Sequence, residues 1–566
     1  MGAAPSKSAP HVLDTPKGQL KGLLVSDREG NPVYYRYTRV PYALPPTGSR
    51  RWQPPQPLPS DAVFSGDHSS FGPICPQPVY NTQAALVDNP AAAPDPEHEQ
   101  SEDCLYLNIW VPASTAPPAN GWPVQFHIHG GWLQVGDANQ GADTDPFDLL
   151  RVSGSTKRII VSPTYRLNLF GFLAGRQLAE AQQGQGQARY NFGLLDQRCA
   201  LEWTHANIAL FNGDPDLITV GGLSAGAHSA FLQLYHDTYL PAPQRIIKQC
   251  YFYSNAIAIQ PNPSASPILT SQFDALCTAV GISPASSTTD KLEALRQIPA
   301  ATLIDAISRL PYHTFRTSTD DLFVPSNFLS TLHDGSFTTL LAAHNIRIVL
   351  GEVADEANLY KLINPPGDYA GLLAQVANYY PPAVTQRLLT LTDIYDVPAQ
   401  DSNSSNAPNT EAYQNAFAAI TSDMQVHASI RGLTRSLLSP PANQNNTPLP
   451  RSSLLRYRIE HRAPSLDAWI NPSVGVCHAA DTPIWWLTGV QAGYSQKDIS
   501  DVLHFLEPFG NFLNGEAEAF GDRDGKGKEG VINRVFRADG TVDVDVSDEL
   551  WDRGCRVWDA VWEVQR

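Results

Sequence analysis

Residues 218–230 read Ile218-Thr219-Val220-Gly221-Gly222-Leu223-Ser224-Ala225-Gly226-Ala227-His228-Ser229-Ala230. The run opens on β-branched residues, turns on glycines and continues into small helix formers, which predicts a strand, a sharp turn and a helix. Gly222-Leu223-Ser224-Ala225-Gly226 fits G-x-S-x-G, a strand-to-helix turn so tight that its serine takes a strained backbone conformation. Only small residues two positions to either side avoid a clash, hence Gly222 and Gly226. The strain lifts the Ser224 hydroxyl above the sheet edge, and the helix start behind it leaves N–H groups free to meet a developing negative charge. Five residues alone are a weak signal, so the rest of the chain has to agree with them.

The 566 residues are 42% hydrophobic and 17% charged, a globular composition with ample material for a large core. No run approaches about 18 apolar residues, so no transmembrane segment is expected. The net charge of −17 repels phosphate backbones and argues against nucleic acid as a partner; its plainest use is solubility. Met1 to Lys7 lacks the apolar core of a secretory signal. That favours an intracellular protein, or a secreted one if the numbering begins after a removed signal. Met1-Gly2 with Ser6 fits the loose myristoylation pattern, which a chance match explains equally well. The seven cysteines, Cys75, Cys104, Cys199, Cys250, Cys277, Cys477 and Cys555, are too few for a disulfide scaffold and include no CxxC pair.

Along the chain, residues 1–16 are polar and read as a flexible N-terminal arm. Gly18 to Tyr37 alternates around Gly30-Asn31-Pro32, an antiparallel meander. Residues 41–59 are proline-rich and must be extended, with Tyr42 and Trp52 packing them down. Strands are predicted at Leu105–Val111, Val124–His129, Arg158–Pro163, Ile218–Val220, Tyr251–Tyr253 and Ile346–Leu350, and a helix over Tyr190–Phe211. Residues 262–310 and 367–436 read as largely helical. Residues 397–410, 440–448 and 522–529 read as surface loops. Strands alternating with helices imply a mostly parallel sheet covered on both faces. With no dividing linker, residues 17–566 are expected to form a single α/β domain.

Several blocks together resemble the type-B carboxylesterase/lipase family, the cholinesterase-like branch of the α/β-hydrolases, with the character of a fungal-type member. Pro41-Tyr42-Ala43-Leu44-Pro45-Pro46 with Arg51 and Trp52 is similar to the family's early proline block. Ser101-Glu102-Asp103-Cys104-Leu105-Tyr106-Leu107-Asn108-Ile109 matches its second signature. Asn191 to Arg198 and Asn207 to Pro215 match the approach to the elbow. The resemblance spans about residues 15–515 and implies the α/β-hydrolase fold: a large, mostly parallel sheet, with helical insertions at about 262–345 and 367–440 capping an active-site gorge.

A serine hydroxyl needs a base, and the base needs an orienting carboxylate. The α/β-hydrolase order is Ser, acid, His. The acid motif is matched by Gly351-Glu352-Val353-Ala354-Asp355-Glu356-Ala357-Asn358, pointing to Glu356 rather than its neighbour Asp355. Gly475-Val476-Cys477-His478 resembles the family's histidine segment and points to His478. His228, one turn after Ser224, is expected to pack behind it. The oxyanion donors implied by the resemblance are the N–H groups of Ala225, Gly131 and Trp132, the latter two in His127-Ile128-His129-Gly130-Gly131-Trp132-Leu133. His127 and His129 share one strand face, but no third ligand follows at metal spacing, so no metal is expected.

Two departures from the family stand out. Many relatives have a third glycine where this chain has Trp132, whose ring adds bulk beside the acyl site. Most have glutamate where it has Leu223, so a polar contact behind the site is lost and the pH dependence is expected to shift. The resemblance also implies a Cys75–Cys104 disulfide, worth about 3–4 kcal/mol for a loop of about thirty residues. Asn403-Ser404-Ser405 and Asn445-Asn446-Thr447 would be glycosylation acceptors in a secreted chain. The pairs Arg51–Glu102 and Arg166–Asp196 are family-like structural ion pairs.

The implied activity is hydrolysis of small-molecule carboxylic esters through an acyl-enzyme, with no cofactor, in a pocket lined by Gly130, Trp132, Trp485 and Trp486. Acyl transfer or lactone chemistry could use the same residues with another acceptor. A non-catalytic binding protein of this family would have lost triad residues, and this chain keeps Ser224, Glu356 and His478.

Overall fold

A computed structural model describes residues 7–79, 99–113, 117–139, 144–152, 157–181, 190–257, 260–363, 365–398, 410–442, 445–468, 470–490, 494–516 and 530–565. Thirteen strands form one sheet: β1 (Lys7–Thr15), β2 (Gly18–Ser26), β3 (Pro32–Pro41), β4 (Gly66–Asp67), β5 (Tyr106–Pro112), β6 (Trp122–Ile128), β7 (Ile159–Pro163), β8 (Gly213–Leu223), β9 (Gln249–Tyr253), β10 (Arg347–Val353), β11 (Leu454–Ile459), β12 (Val531–Phe536) and β13 (Val542–Ser547). Their order is β1-β2-β3-β5-β7-β6-β8-β9-β10-β11-β12-β13, with β4 beside β2. The stretch from β7 through β6 to β12 is parallel, and antiparallel strands close both edges.

The central strands are apolar on both faces because helices cover both. Along β9, Cys250 and Phe252 enter one buried cluster while Tyr251 and Tyr253 enter the opposite one, the two-residue period of a strand with a layer on each side. The helix Ala225–Thr238 packs on the first face and the helix Gln496–Leu513 on the second. Helices fill the intervals between β9 and β10 and between β10 and β11, those of the second interval building a third apolar cluster around Tyr380, Phe417 and Met424.

Several expectations are corrected. Residues 7–15 are an edge strand rather than a loose arm. All nine pair in register with β2, so backbone hydrogen bonds rather than side-chain burial hold them, and Pro10 is tolerated at an edge. The helix expected to Phe211 is α-helical only over Phe192–Asn207 and ends in a 3₁₀ turn, Ile208–Phe211. The loops expected at 397–410 and 522–529 fall mostly outside the described residues, as do the first six residues and Asn403.

The expected Cys75–Cys104 disulfide is not formed. Both are buried free thiols. The hydrogen bond with Cys75, and then burial, push the Cys104 thiol well up, while Cys75 Sγ accepts the Leu167 N–H at 3.3 Å. The pair is therefore satisfied as thiols. Both expected ion pairs are present: Arg51 Nε donates to Glu102 at 2.7 Å, and Arg166 Nε to Asp196 at 2.7 Å.

Candidate active site

The residues singled out from sequence gather at the C-terminal ends of the parallel strands, where crevices open in α/β sheets. β8 ends at Leu223, and Ser224 follows with φ 59° and ψ −126°, a strained conformation for a residue with a side chain. Its N–H donates to the Tyr253 carbonyl at 2.9 Å, and its carbonyl accepts the His228 N–H at 3.0 Å to start the helix. The turn is crowded by the neighbouring strand β6: a Cβ on Gly226 would lie 2.0 Å from the Ile128 carbonyl oxygen, and one on Gly222 2.3 Å from it. Any larger residue there would push the elbow off the sheet.

His478 comes from the loop after β11. Its Nε2 lies 2.8 Å from Ser224 Oγ, and its Nδ1 lies 2.6 Å from Glu356 Oε2. All three are buried, at 7% exposure for Ser224, 4% for His478 and 0% for Glu356. Glu356 is reached by a turn from β10, and its other oxygen, Oε1, accepts the Val353 N–H at 3.0 Å. Asp355 points elsewhere: its Oδ2 accepts the Val476 N–H at 2.9 Å, and its own N–H donates to the Val476 carbonyl at 2.9 Å. The two adjacent acids thus divide the work, one reaching the imidazole and the other pinning the backbone that carries it.

Behind β10 the charges are neutralised. Arg431 donates to both oxygens of Glu352 and to Asp548, and Arg456 donates to Asp548. His427 Nδ1 lies 2.8 Å from Glu352; burial disfavours its charge, but Glu352 more than offsets that and raises it.

The loop Gly130-Gly131-Trp132 follows β6, the strand beside β8. Gly130 packs against the elbow, where a Cβ would meet Ser224 Cβ at 3.2 Å. Trp132 has φ 55° and Leu133 φ 64°. Left-handed backbone of this kind favours glycine, and this chain holds the turn with an indole. The N–H groups of Gly131 and Trp132 have no backbone acceptor among the described residues, and Ala225 opens a helix, where N–H groups lack intrahelical acceptors.

Other residues are reassigned. Trp485 stacks on Tyr253 with centroids 3.9 Å apart, and its Nε1 donates to Asp481 at 2.7 Å. Trp486 packs edge-on to His127 at 5.1 Å. Both rings join the buried aromatic layer on that face of the sheet, and Leu223 packs against the same layer. Burial raises Asp481 to about 6. His127 and His129 do not share a face: β6 ends at Ile128, so His127 reaches Tyr251 Oη at 2.7 Å while His129 stacks on Tyr165 at 4.4 Å. Burial lowers them to about 3 and about 4, respectively. His228, lowered by burial to about 3, packs behind the elbow against Thr317 at 3.4 Å.

Sequence reasoning missed Tyr360. Its hydroxyl lies 3.4 Å from His478 Nδ1 and 3.2 Å from Gln425 Oε1, and its ring packs edge-on to Trp132. The available signal was spacing, since Tyr360 sits one helical turn beyond Glu356. Gln425 sits in a one-turn π-helix, Asp423–His427, that no sequence pattern announced.

Comparison with known proteins agrees with this architecture. The model of the carboxylesterase family matches residues 9–518. An uncharacterized esterase/lipase of Schizosaccharomyces pombe is 39% identical over 97% of this chain and 96% of its own length. A carboxylic ester hydrolase of Gibberella moniliformis is 34% identical over 96% of this chain and 94% of its own. The acetylcholinesterase of Electrophorus electricus is 31% identical over 63% of this chain and 53% of its own. On the match of sequence, fold and residue order together, the chain belongs to the carboxylesterase family of α/β-hydrolases and is a carboxylic ester hydrolase.

Proposed function

We propose that the chain hydrolyses small-molecule carboxylic esters with Ser224 as nucleophile, His478 as general base and then acid, and Glu356 as the orienting carboxylate. The observation that carries this reading is the unbroken relay, 2.8 Å from Ser224 Oγ to Nε2 and 2.6 Å from Nδ1 to Glu356. In this reading Glu356 Oε2 accepts from Nδ1–H, which selects the tautomer with hydrogen on Nδ1. That leaves the Nε2 lone pair facing the serine hydroxyl.

As Oγ bonds to the ester carbonyl carbon, its proton passes to Nε2. The carbonyl oxygen becomes an oxyanion, met by the N–H groups of Gly131, Trp132 and Ala225, each worth about 10²–10³ in rate. The imidazolium returns its proton to the leaving alkoxide as the C–O bond breaks. Water then repeats the sequence on the acyl-enzyme and frees Ser224. Substrate enters between the sheet and the helical insertions, which act as a cap, and Trp132 stands beside the acyl group.

A nitrophenyl ester tests this reading. A burst of nitrophenol followed by steady turnover is expected, with a serine-directed phosphonate labelling Ser224 and Ser224→Ala abolishing both. Steady turnover surviving in Ser224→Ala would refute it.

A further inference from the structure

Arg316 lies in segment 313–319, outside the helices and named strands, and is 2% exposed. The chain is strapped down on both sides of it. Before it, the Phe315 N–H donates to Gln134 Oε1 at 3.0 Å, and Gln134 Nε2 donates to the Trp132 carbonyl at 2.9 Å and to the Phe315 carbonyl. After it, Thr317 Oγ1 meets His228, one turn along the elbow helix from Ser224. Phe315 enters the core on the elbow-helix face of the sheet. The guanidinium goes elsewhere: Nη2 donates to Asn262 Oδ1 at 2.9 Å, and the phenols that bear on its charge are Tyr379 and Tyr380. Those tyrosines belong to the cluster against which the Trp132 ring packs. Arg316 is therefore fixed to the loop that carries the oxyanion donors, and it faces the layer that Trp132 faces.

Its charge is left over. Other buried arginines spend theirs: Arg166 on Asp196, Arg198 on Asp237, Arg431 on Glu352 and Asp548. Arg158 donates to Gln125 and lies over the Phe509 ring. Among the described residues Arg316 has no carboxylate partner, and its Nη1 has no hydrogen-bond partner. The indole Nε1 of Trp132 likewise has no hydrogen-bond partner among the described residues. Burial pulls Arg316 down to about 9, which leaves it a cation at neutral pH. A buried guanidinium is costly unless an anion compensates it, and a carboxylate matches its forked donors.

We propose that Arg316 recognises a carboxylate on the acyl side of the site, so that the enzyme's substrates include half-esters of dicarboxylic acids. The free carboxylate would take Nη1 while the ester carbonyl sits over Ser224. The proposal rests on the Ser224 reading above and adds a substrate class to it.

The test compares ethanol release from monoethyl succinate, glutarate and adipate with release from ethyl esters of the neutral acids of matched length. The wild type is expected to favour at least one half-ester by kcat/KM. In Arg316→Gln the ratio of half-ester to neutral-ester kcat/KM should fall about tenfold to a hundredfold, mostly through KM, and Arg316→Lys should restore part of it. An unchanged ratio in Arg316→Gln would overturn the proposal. Were that variant to fail to fold, a wild-type preference for the neutral ester at all three lengths would overturn it too. Turnover of neutral esters that survives Ser224→Ala would instead refute the serine reading, so the two failures are separable.

Discussion

Replacing Glu356 by glutamine keeps size and shape and changes only charge and one acceptor. The geometry then offers two orientations. If the amide oxygen faces His478, the amide NH₂ faces the Val353 N–H across a 3.0 Å contact that now joins two donors. If the NH₂ faces His478 across the 2.6 Å contact, Nδ1 must accept, which puts the ring hydrogen on Nε2, where the Ser224 proton has to go. The first orientation keeps the tautomer but removes the anion beside the imidazolium. At a separation near 4 Å and an effective dielectric constant near 20, that attraction is about 4 kcal/mol, or about a thousandfold in rate. The second adds a wrong tautomer, a defect worth about 10⁴ in a comparable triad. Glu356→Gln should therefore lower kcat by about 10³–10⁴ with KM little changed, in a protein that still folds.

The control is its neighbour. Asp355 takes one backbone N–H through Oδ2, and an asparagine carbonyl can take the same bond, so Asp355→Asn should stay within about tenfold of wild type. Steady-state kinetics on a nitrophenyl ester, together with the rate of phosphonate labelling, reads both variants. If Glu356→Gln stayed within tenfold while Asp355→Asn collapsed, the assignment of the two acids would be reversed and the argument from orientation wrong.

Trp132→Gly should raise kcat/KM on long acyl chains relative to acetate by about tenfold or more, since each methylene admitted is worth about 1–3 kcal/mol; an unchanged chain-length profile would remove the indole from the acyl site. Tyr360→Phe keeps the ring against Trp132 and deletes the oxygen beside Nδ1. It should cost less than about tenfold in kcat and move the acid limb of the pH–rate profile to lower pH, whereas a change in thermal stability alone would make the hydroxyl a packing group. Asp481 is raised by burial to about 6, so its neutral form is the one the fold prefers. Its contribution is present below the unfolded value near 4 and is lost as pH rises through about 6. Wild type should lose about 1–3 kcal/mol between pH 4 and 7 that Asp481→Asn does not lose, as read by urea unfolding at each pH; parallel pH dependences would refute it.

The parts of the molecule legible in sequence are those where local chemistry and tertiary demand coincide. The elbow needs glycines for a steric reason written in the chain itself, and β7 is an apolar run because it is buried on both faces. Illegible parts are those where a distant partner decides. β11 carries Arg456 and Arg458, which spoil its alternation. Arg456 is nevertheless buried, because Asp548, from beyond β13, neutralises it. Gly432 lies against the Trp558 ring, so the C-terminal helix docks where no local pattern marks a contact. Trp485 and Trp486 read equally well as pocket or core in sequence, and the stack on Tyr253 and the edge contact with His127 depend on partners far along the chain.

The distribution of buried charge links these observations. On the far side of β10, Glu352, Arg431, Asp548 and Arg456 cancel one another. Beneath the elbow, Leu223 packs against an aromatic layer that also contains Asp481's partner Trp485, and burial there raises Asp481 to about 6. The carboxylate within hydrogen-bond reach of the His478 imidazole is Glu356, 2.6 Å from Nδ1. On the cap side the pattern inverts, because Arg316 is buried with its charge uncompensated among the described residues. If Arg316 receives a substrate carboxylate as proposed, the substrate supplies the anion that the described residues do not.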